Sequence, residues 1–169
     1  TTTRQIAAAA GVAEGTLYRH FPSKEALAWR LFLEQHHAIG RHLRAAVAKA
    51  SSCEEAIRAI VAGYCRLADS DWLAFAYHLL YQQQEHPEVP KDENNPLPIL
   101  QACILTCMAE GSLPRKDPEL ALGMALGVVY QTALQRLHGA IDYPLGQVVG
   151  VLQEAVWQVL LTRDSRPTT

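Results

Sequence analysis

Charge is scarce in this sequence. Lys, Arg, Asp and Glu make up 19% of its 169 residues, below the roughly 25% of ordinary soluble domains, whereas apolar residues reach 49%, so disorder of the whole chain is excluded. Long apolar runs are missing as well. The longest convincing one, Leu120 to Tyr130, has eleven residues and two glycines, well short of the ~18 that a membrane helix needs. No membrane partner is expected, and without a basic-then-apolar leader the expected localisation is cytoplasmic. Nor is there a run of alternating Val, Ile, Thr and aromatic residues to mark a strand, so the fold class read from the sequence is all-α. The four cysteines, Cys53, Cys65, Cys103 and Cys107, lack the C-x2-C spacing of a zinc site and read as buried thiols of a reducing compartment. No Ser-His-Asp or Glu-x-x-His arrangement stands at a working spacing, and no carboxylate pair lies on an apolar helix face. Catalytic residues, metal ligands and cofactors are therefore all expected to be none.

What is present is an asymmetry of charge. The net charge of -2 hides seven Lys/Arg against three Glu in the first 49 residues and eight against fourteen in the remaining 120. A small basic head on an acidic body suits a polyanion contacted by one end only.

Helical periodicity runs through the chain. Thr2 to Ala10 reads as a short helix stopped by Gly11, and Ala13 to His20 as a second one broken by Pro22. Ser23 caps a third helix, with Glu25 favouring its dipole. Leu27, Leu31, Gln35, Ile39, Leu43 and Val47 recur every four residues, predicting a helix from Lys24 to Lys49, about 39 Å long at about 1.5 Å per residue. Ile57, Val61, Tyr64 and Ala68 mark the next helix, and Trp72, Phe75, Ala76 and Leu79 a shorter one. Glu85 to Pro96 reads as a loop. Leu100, Cys103, Ile104, Cys107 and Met108 form a further stripe ending at Gly111. Asp117-Pro118-Glu119 starts a helix that runs to Gly139, and the last helix carries Leu145 to Leu160.

Two short helices joined by a tight glycine turn, basic overall and near one end, have the layout of a helix-turn-helix. Ile6, Ala10, Val12, Leu17 and Phe21 would hold the pair together. Gly15, Thr16, Tyr18, Arg19 and His20 then face outward beside Glu14. Arg19 can fork onto guanine edges, Thr16 and Tyr18 can donate hydroxyls to phosphate, and Lys24 adds a phosphate contact. The elements Ile6-Ala7…Ala10-Gly11-Val12, then Gly15-Thr16-Leu17-Tyr18-Arg19-His20-Phe21, then Ser23-Lys24-Glu25-Ala26-Leu27 closely resemble the DNA-binding signature of the tetracycline-repressor (TetR) family.

That resemblance implies a homodimeric transcriptional repressor with a double-stranded DNA operator and a small-molecule effector. It assigns DNA contact to Thr3, Arg4, Thr16, Tyr18, Arg19, His20 and Lys24. It also implies a further helix ahead of the motif, so the head is expected to be incomplete at its start. Ala13 stands where the family prefers Ser or Thr as a cap, and Gly15 lies inside the second helix; each costs about 1 kcal/mol of helix stability.

The organisation read from these signals is a helix-turn-helix head over residues 1–24, a connecting helix over 25–49 and a ligand-binding and dimerisation domain over 50–165. The aromatic set around Tyr64, Trp72, Phe75, Tyr77, His78 and Tyr81 can wall a cavity. The candidate ligand residues are Tyr64, Trp72, Phe75, His78, Cys103, Cys107 and Gln131. His36, His37 and His42 read as a solvated face. Small residues on the penultimate helix and the Val/Leu-rich last helix suggest a four-helix dimer interface through Gly123, Gly127, Leu134, Leu152 and Val156. The expected function is a repressor released from a pseudo-palindromic operator by a small apolar effector. The alternative is a helical bundle binding a small molecule or metal without DNA.

Overall fold

The computed structural model describes residues 3–9, 11, 13–82, 89–90 and 92–163, and all regular structure among them is helical. The head comprises α1 (Thr3–Ala9) and α2 (Glu14–His20), linked through Gly11, whose φ of 68° is the left-handed conformation that a residue without Cβ adopts freely. Ala10 and Val12, two of the expected head-packing residues, lie outside the described residues, as do the side chains of Ile6 and Leu17.

The long helix α3 spans Lys24–Lys49 as the periodicity predicts, and Ser23 Oγ accepts from Ala26 N at its start. Its buried stripe differs from the four-residue reading. Leu27, Ile39 and Leu43 of that reading are buried, but a step of four residues overshoots one turn by about 40°, so Leu31 is 47% exposed while Phe32, His36 and Gly40 are buried. His36 is thus no part of a solvated face. Gly40 is where the segment before α6 crosses: an added Cβ would meet the carbonyl oxygen of Asn94.

The body continues with α4 (Cys53–Ser70), α5 (Trp72–Tyr81), α6 (Pro96–Ala109), α7 (Pro118–Leu137) and α8 (Val149–Leu161), the last preceded by a 3-10 turn over Leu145–Val148. Short polar side chains start four of them: Ser52, Asp71, Asn95 and Asp117 each accept from a first-turn amide. The central helix α4 packs on α3 and α8, α3 also touches α5 and α6, and α7 lies along α8. One apolar core fills the space between them. Asp69, at the end of α4, accepts from Arg136 Nη1 at 2.6 Å, Leu145 N at 3.0 Å and Gly146 N at 2.7 Å, and so fixes the entry to α8.

Two cysteines depart from the free-thiol reading. Cys53 at the start of α4 and Cys107 in the last turn of α6 are joined as a disulfide, their Cα atoms 5.6 Å apart. Cys65 and Cys103 are free and buried. The bonded pair is 54 residues apart in sequence, so only the packing of α6 on α4 reveals it.

Candidate effector cavity and DNA-facing head

On the head, Arg4, Thr16, Tyr18, Arg19, His20 and Lys24 are all exposed, Tyr18 at 48%; of Thr3 only the backbone is described. Arg4, Arg19 and Lys24 enter no ion pair among the described residues. Several arginines beyond the head are paired: Arg58 binds Glu54 and Glu154, Arg44 binds Glu93, and Arg136 binds Asp69. The charge of the head is therefore available to an external anion.

The body holds a cavity of about 490 Å³, within the ~300–1,000 Å³ of small-molecule sites. Its walls are aliphatic, with Ile60 of α4, Ile104 of α6, Leu122 of α7 and Val156 of α8 contributing from different sides. Among the described lining residues none is Lys, Arg, Asp or Glu. The polar exceptions include Tyr64, His78, His36 and Tyr130.

His36 and His78 form the cavity's link to the connecting helix. His36 Nδ1 lies 3.2 Å from His78 Nε2, joining α3 to α5 inside the protein. Phe32 stacks on His78 with ring centroids 4.8 Å apart and planes 6° from parallel. Burial first, and then the neighbouring His36, push His78 down to about 3, so His78 is neutral at physiological pH. In two of the lining residues a polar atom, Tyr64 Oη and His78 Nδ1, is buried without a hydrogen-bond partner. Tyr64 meets the edge of Phe75 at 4.9 Å, and burial raises its hydroxyl far above the usual range.

Of the expected ligand residues, Tyr64 and His78 line this cavity and the others do not. Phe75 is fully buried in the core behind them. Trp72 stands outside the cavity with the Arg136 guanidinium over its ring at 4.0 Å. Cys107 is bonded to Cys53, Cys103 is turned to the same side of α6, away from the cavity, and Gln131 is exposed. Sequence reasoning missed His36. Its signal was a polar residue one turn beyond Phe32 on a stripe of period 3.6 rather than four.

The expected dimer residues divide between core and surface. Leu134, Leu152 and Val156 are buried in their own protomer's core, so they have no surface to offer a partner. Gly123 and Gly127 are exposed but line the open side of the cavity, and a Cβ there would meet nothing within 4 Å. Leu120, Val151 and Leu161 are exposed large apolar side chains of α7 and α8, with Val151 69% exposed.

Residues 1–31 match the family model of bacterial regulatory proteins, tetR family. Over nearly the whole chain the fold is similar to solved regulators. FadR from Bacillus subtilis, solved in complex with stearoyl-CoA, superposes with TM-score 0.80 at 22% identity over 94% of this chain and 88% of that one. The fatty acid degradation regulator FadR from Bacillus halodurans gives 0.77 at 23%, over 92% and 87%. PfmR, a TetR family transcriptional regulator from Thermus thermophilus, gives 0.73 at 19%, over 94% and 88%. No curated protein matches the chain. No described helix is long and apolar enough to cross a membrane.

Proposed function

We propose that this chain, which joins a tetR-family head to the all-α fold of such regulators, is a ligand-responsive DNA-binding transcriptional repressor acting as a homodimer in the cytoplasm by binding alone. The observation that carries the reading is the combination of an exposed, unneutralised α2 face at one end and an apolar cavity in the body at the other, with α3 spanning both. Arg19 on α2 would read base edges, Thr16, Tyr18 and His20 would contact bases or phosphates, and Arg4 and Lys24 would hold the backbone. Two heads related by a two-fold axis would enter successive major grooves about 34 Å apart. The outer faces of α7 and α8, through Leu120, Val151 and Leu161, would bring the protomers together.

The coupling runs through α3. Tyr77 Oη donates to Ala28 O at 3.0 Å, and the His36–His78 contact lies further along the same helix. An effector that fills the cavity and moves α5 would drag α3 and alter the separation of the heads. A preference for the separation that misfits DNA, worth about 1–3 kcal/mol, would release the operator. The cavity's aliphatic walls fit a small apolar effector, and the stearoyl-CoA held by the Bacillus subtilis relative is consistent with a long apolar body there.

Selection from a random duplex library tests the DNA half. The expected product is an inverted repeat whose half-sites lie one helical turn apart; enrichment of no common sequence would overturn the reading.

A further inference from the structure

We propose that the cavity selects a largely aliphatic effector bearing one uncharged hydrogen-bonding group, seated on Tyr64 Oη and His78 Nδ1, and discriminates against the corresponding carboxylate. The inference rests on the effector-cavity reading above and names the ligand chemistry of that site.

Burial without a partner is the first argument. A hydroxyl and an imidazole nitrogen withdrawn from water cost about 1–3 kcal/mol each when unsatisfied, and both Tyr64 Oη and His78 Nδ1 are in that condition. They belong to cavity-lining residues on neighbouring helices, and their rings flank Phe75 at 4.9 and 6.4 Å. His78 is only 5% exposed. Neither atom has open surface at rest, so a polar ligand group draws them toward the cavity by a small rotation of their rings and satisfies both, whereas an alkane leaves them as they are.

Charge supplies the second argument. An ionised carboxylate brought into a site without a counter-charge loses several kcal/mol of hydration that nothing returns. No Lys or Arg stands among the described lining residues to pair with it. His78 is the nearest base, but burial and His36 oppose its protonation. A hydroxyl, ketone, ester, thioester or amide carries no such penalty. Because His78 Nε2 already faces His36 Nδ1, a ligand that donates to His78 Nδ1 fixes one tautomer and a ligand that accepts from it fixes the other. Either way one neutral group completes the wall.

The test compares n-dodecanol, n-dodecanoate and n-dodecane as probes of the full chain and of Tyr64→Phe, by isothermal titration calorimetry near neutral pH. Dodecanol is expected to bind about tenfold tighter than either analogue. Tyr64→Phe should weaken dodecanol about fivefold, leave dodecane unchanged, and melt no lower than wild type, since the lost hydroxyl has no protein partner. Dodecanoate binding as tightly as dodecanol would overturn the charge discrimination. Equal affinity for dodecane and dodecanol, or an equal loss for both in Tyr64→Phe, would overturn the polar seat. Binding of none of the three would instead overturn the cavity reading itself, and the proposal with it.

Discussion

Gly40→Ala exposes the packing argument most sharply. Gly40 lies mid-way along α3, and a methyl group there would stand 1.8 Å from the carbonyl oxygen of Asn94 and 2.5 Å from its carbonyl carbon. Both are backbone atoms, so no side-chain rotation relieves the contact and the turn at Asp92 to Asn95 must lift. That turn has its own ties: Asn94 N donates to Asp92 Oδ1 at 2.8 Å, Arg44 pairs with Glu93 at 2.7 Å, and Asn95 caps α6. Alanine's helix preference returns about 1 kcal/mol, overpacking removes about 1–3 kcal/mol, and a loosened cap about 1 kcal/mol more. The net loss is about 2 kcal/mol, or a thermal midpoint lower by about 4–8 °C for a chain of this size. Gly127→Ala is the internal control. Its added methyl meets nothing within 4 Å, so it should gain up to about 1 kcal/mol. Far-UV circular dichroism melts of the three proteins settle the matter, and a Gly40→Ala variant melting at or above wild type would refute the reasoning. Because Pro96, Leu97 and Leu100 of α6 line the cavity, Gly40→Ala should weaken effector binding too.

His78 predicts an acid sensitivity: its folded value is about 3 against 6.5 unfolded, so the unfolded chain takes up the proton first and stability falls as pH drops from 6.5 toward 3. The loss by pH 5 is about 2 kcal/mol, read from urea unfolding at pH 7 and pH 5, and His78→Gln should flatten the difference. Asp69→Ala removes the acceptor for Arg136 and for two amides at the entry to α8, and should cost about 3 kcal/mol in the same assay; a loss under about half a kcal/mol would show the network to be ornamental. Val151→Glu places a charge on the outward face of α8 and should shift the sedimenting species from dimer to monomer, whereas Leu152→Ala, one residue on but facing the core, should lower stability by about 2–5 kcal/mol.

The helices were legible because local signals set them. Ser23, Asp117 and the proline and glycine breaks fixed the bounds of α3 and the starts of the later helices through capping chemistry that needs no tertiary partner. Faces were less legible. The four-residue reading put Leu31 inward and left His36 in solvent, although α3 turns every 3.6 residues and brings Phe32 and His36 to the core. Pairings were not legible at all. Cys53 meets Cys107 and Asp69 meets Arg136 only after α4, α6 and α7 have packed. The cavity was half visible for the same reason: aromatic residues advertised Tyr64 and His78, but aliphatic walls such as Ile60 and Leu122 look like any core residue. On the head, by contrast, exposure of Arg19 and Lys24 followed from the turn and the helical period alone.

The central claim is that the α2 face lies against DNA, and its most direct measurement is affinity for a selected duplex and for a scrambled copy, by fluorescence anisotropy across a salt series. A clear preference for the selected duplex and a steep fall of affinity with salt are expected. Arg19→Ala should narrow that preference by about 1–3 kcal/mol, while Lys24→Ala should weaken both duplexes alike and flatten the salt slope. Equal affinity for the two duplexes, or a slope near zero, would contradict it.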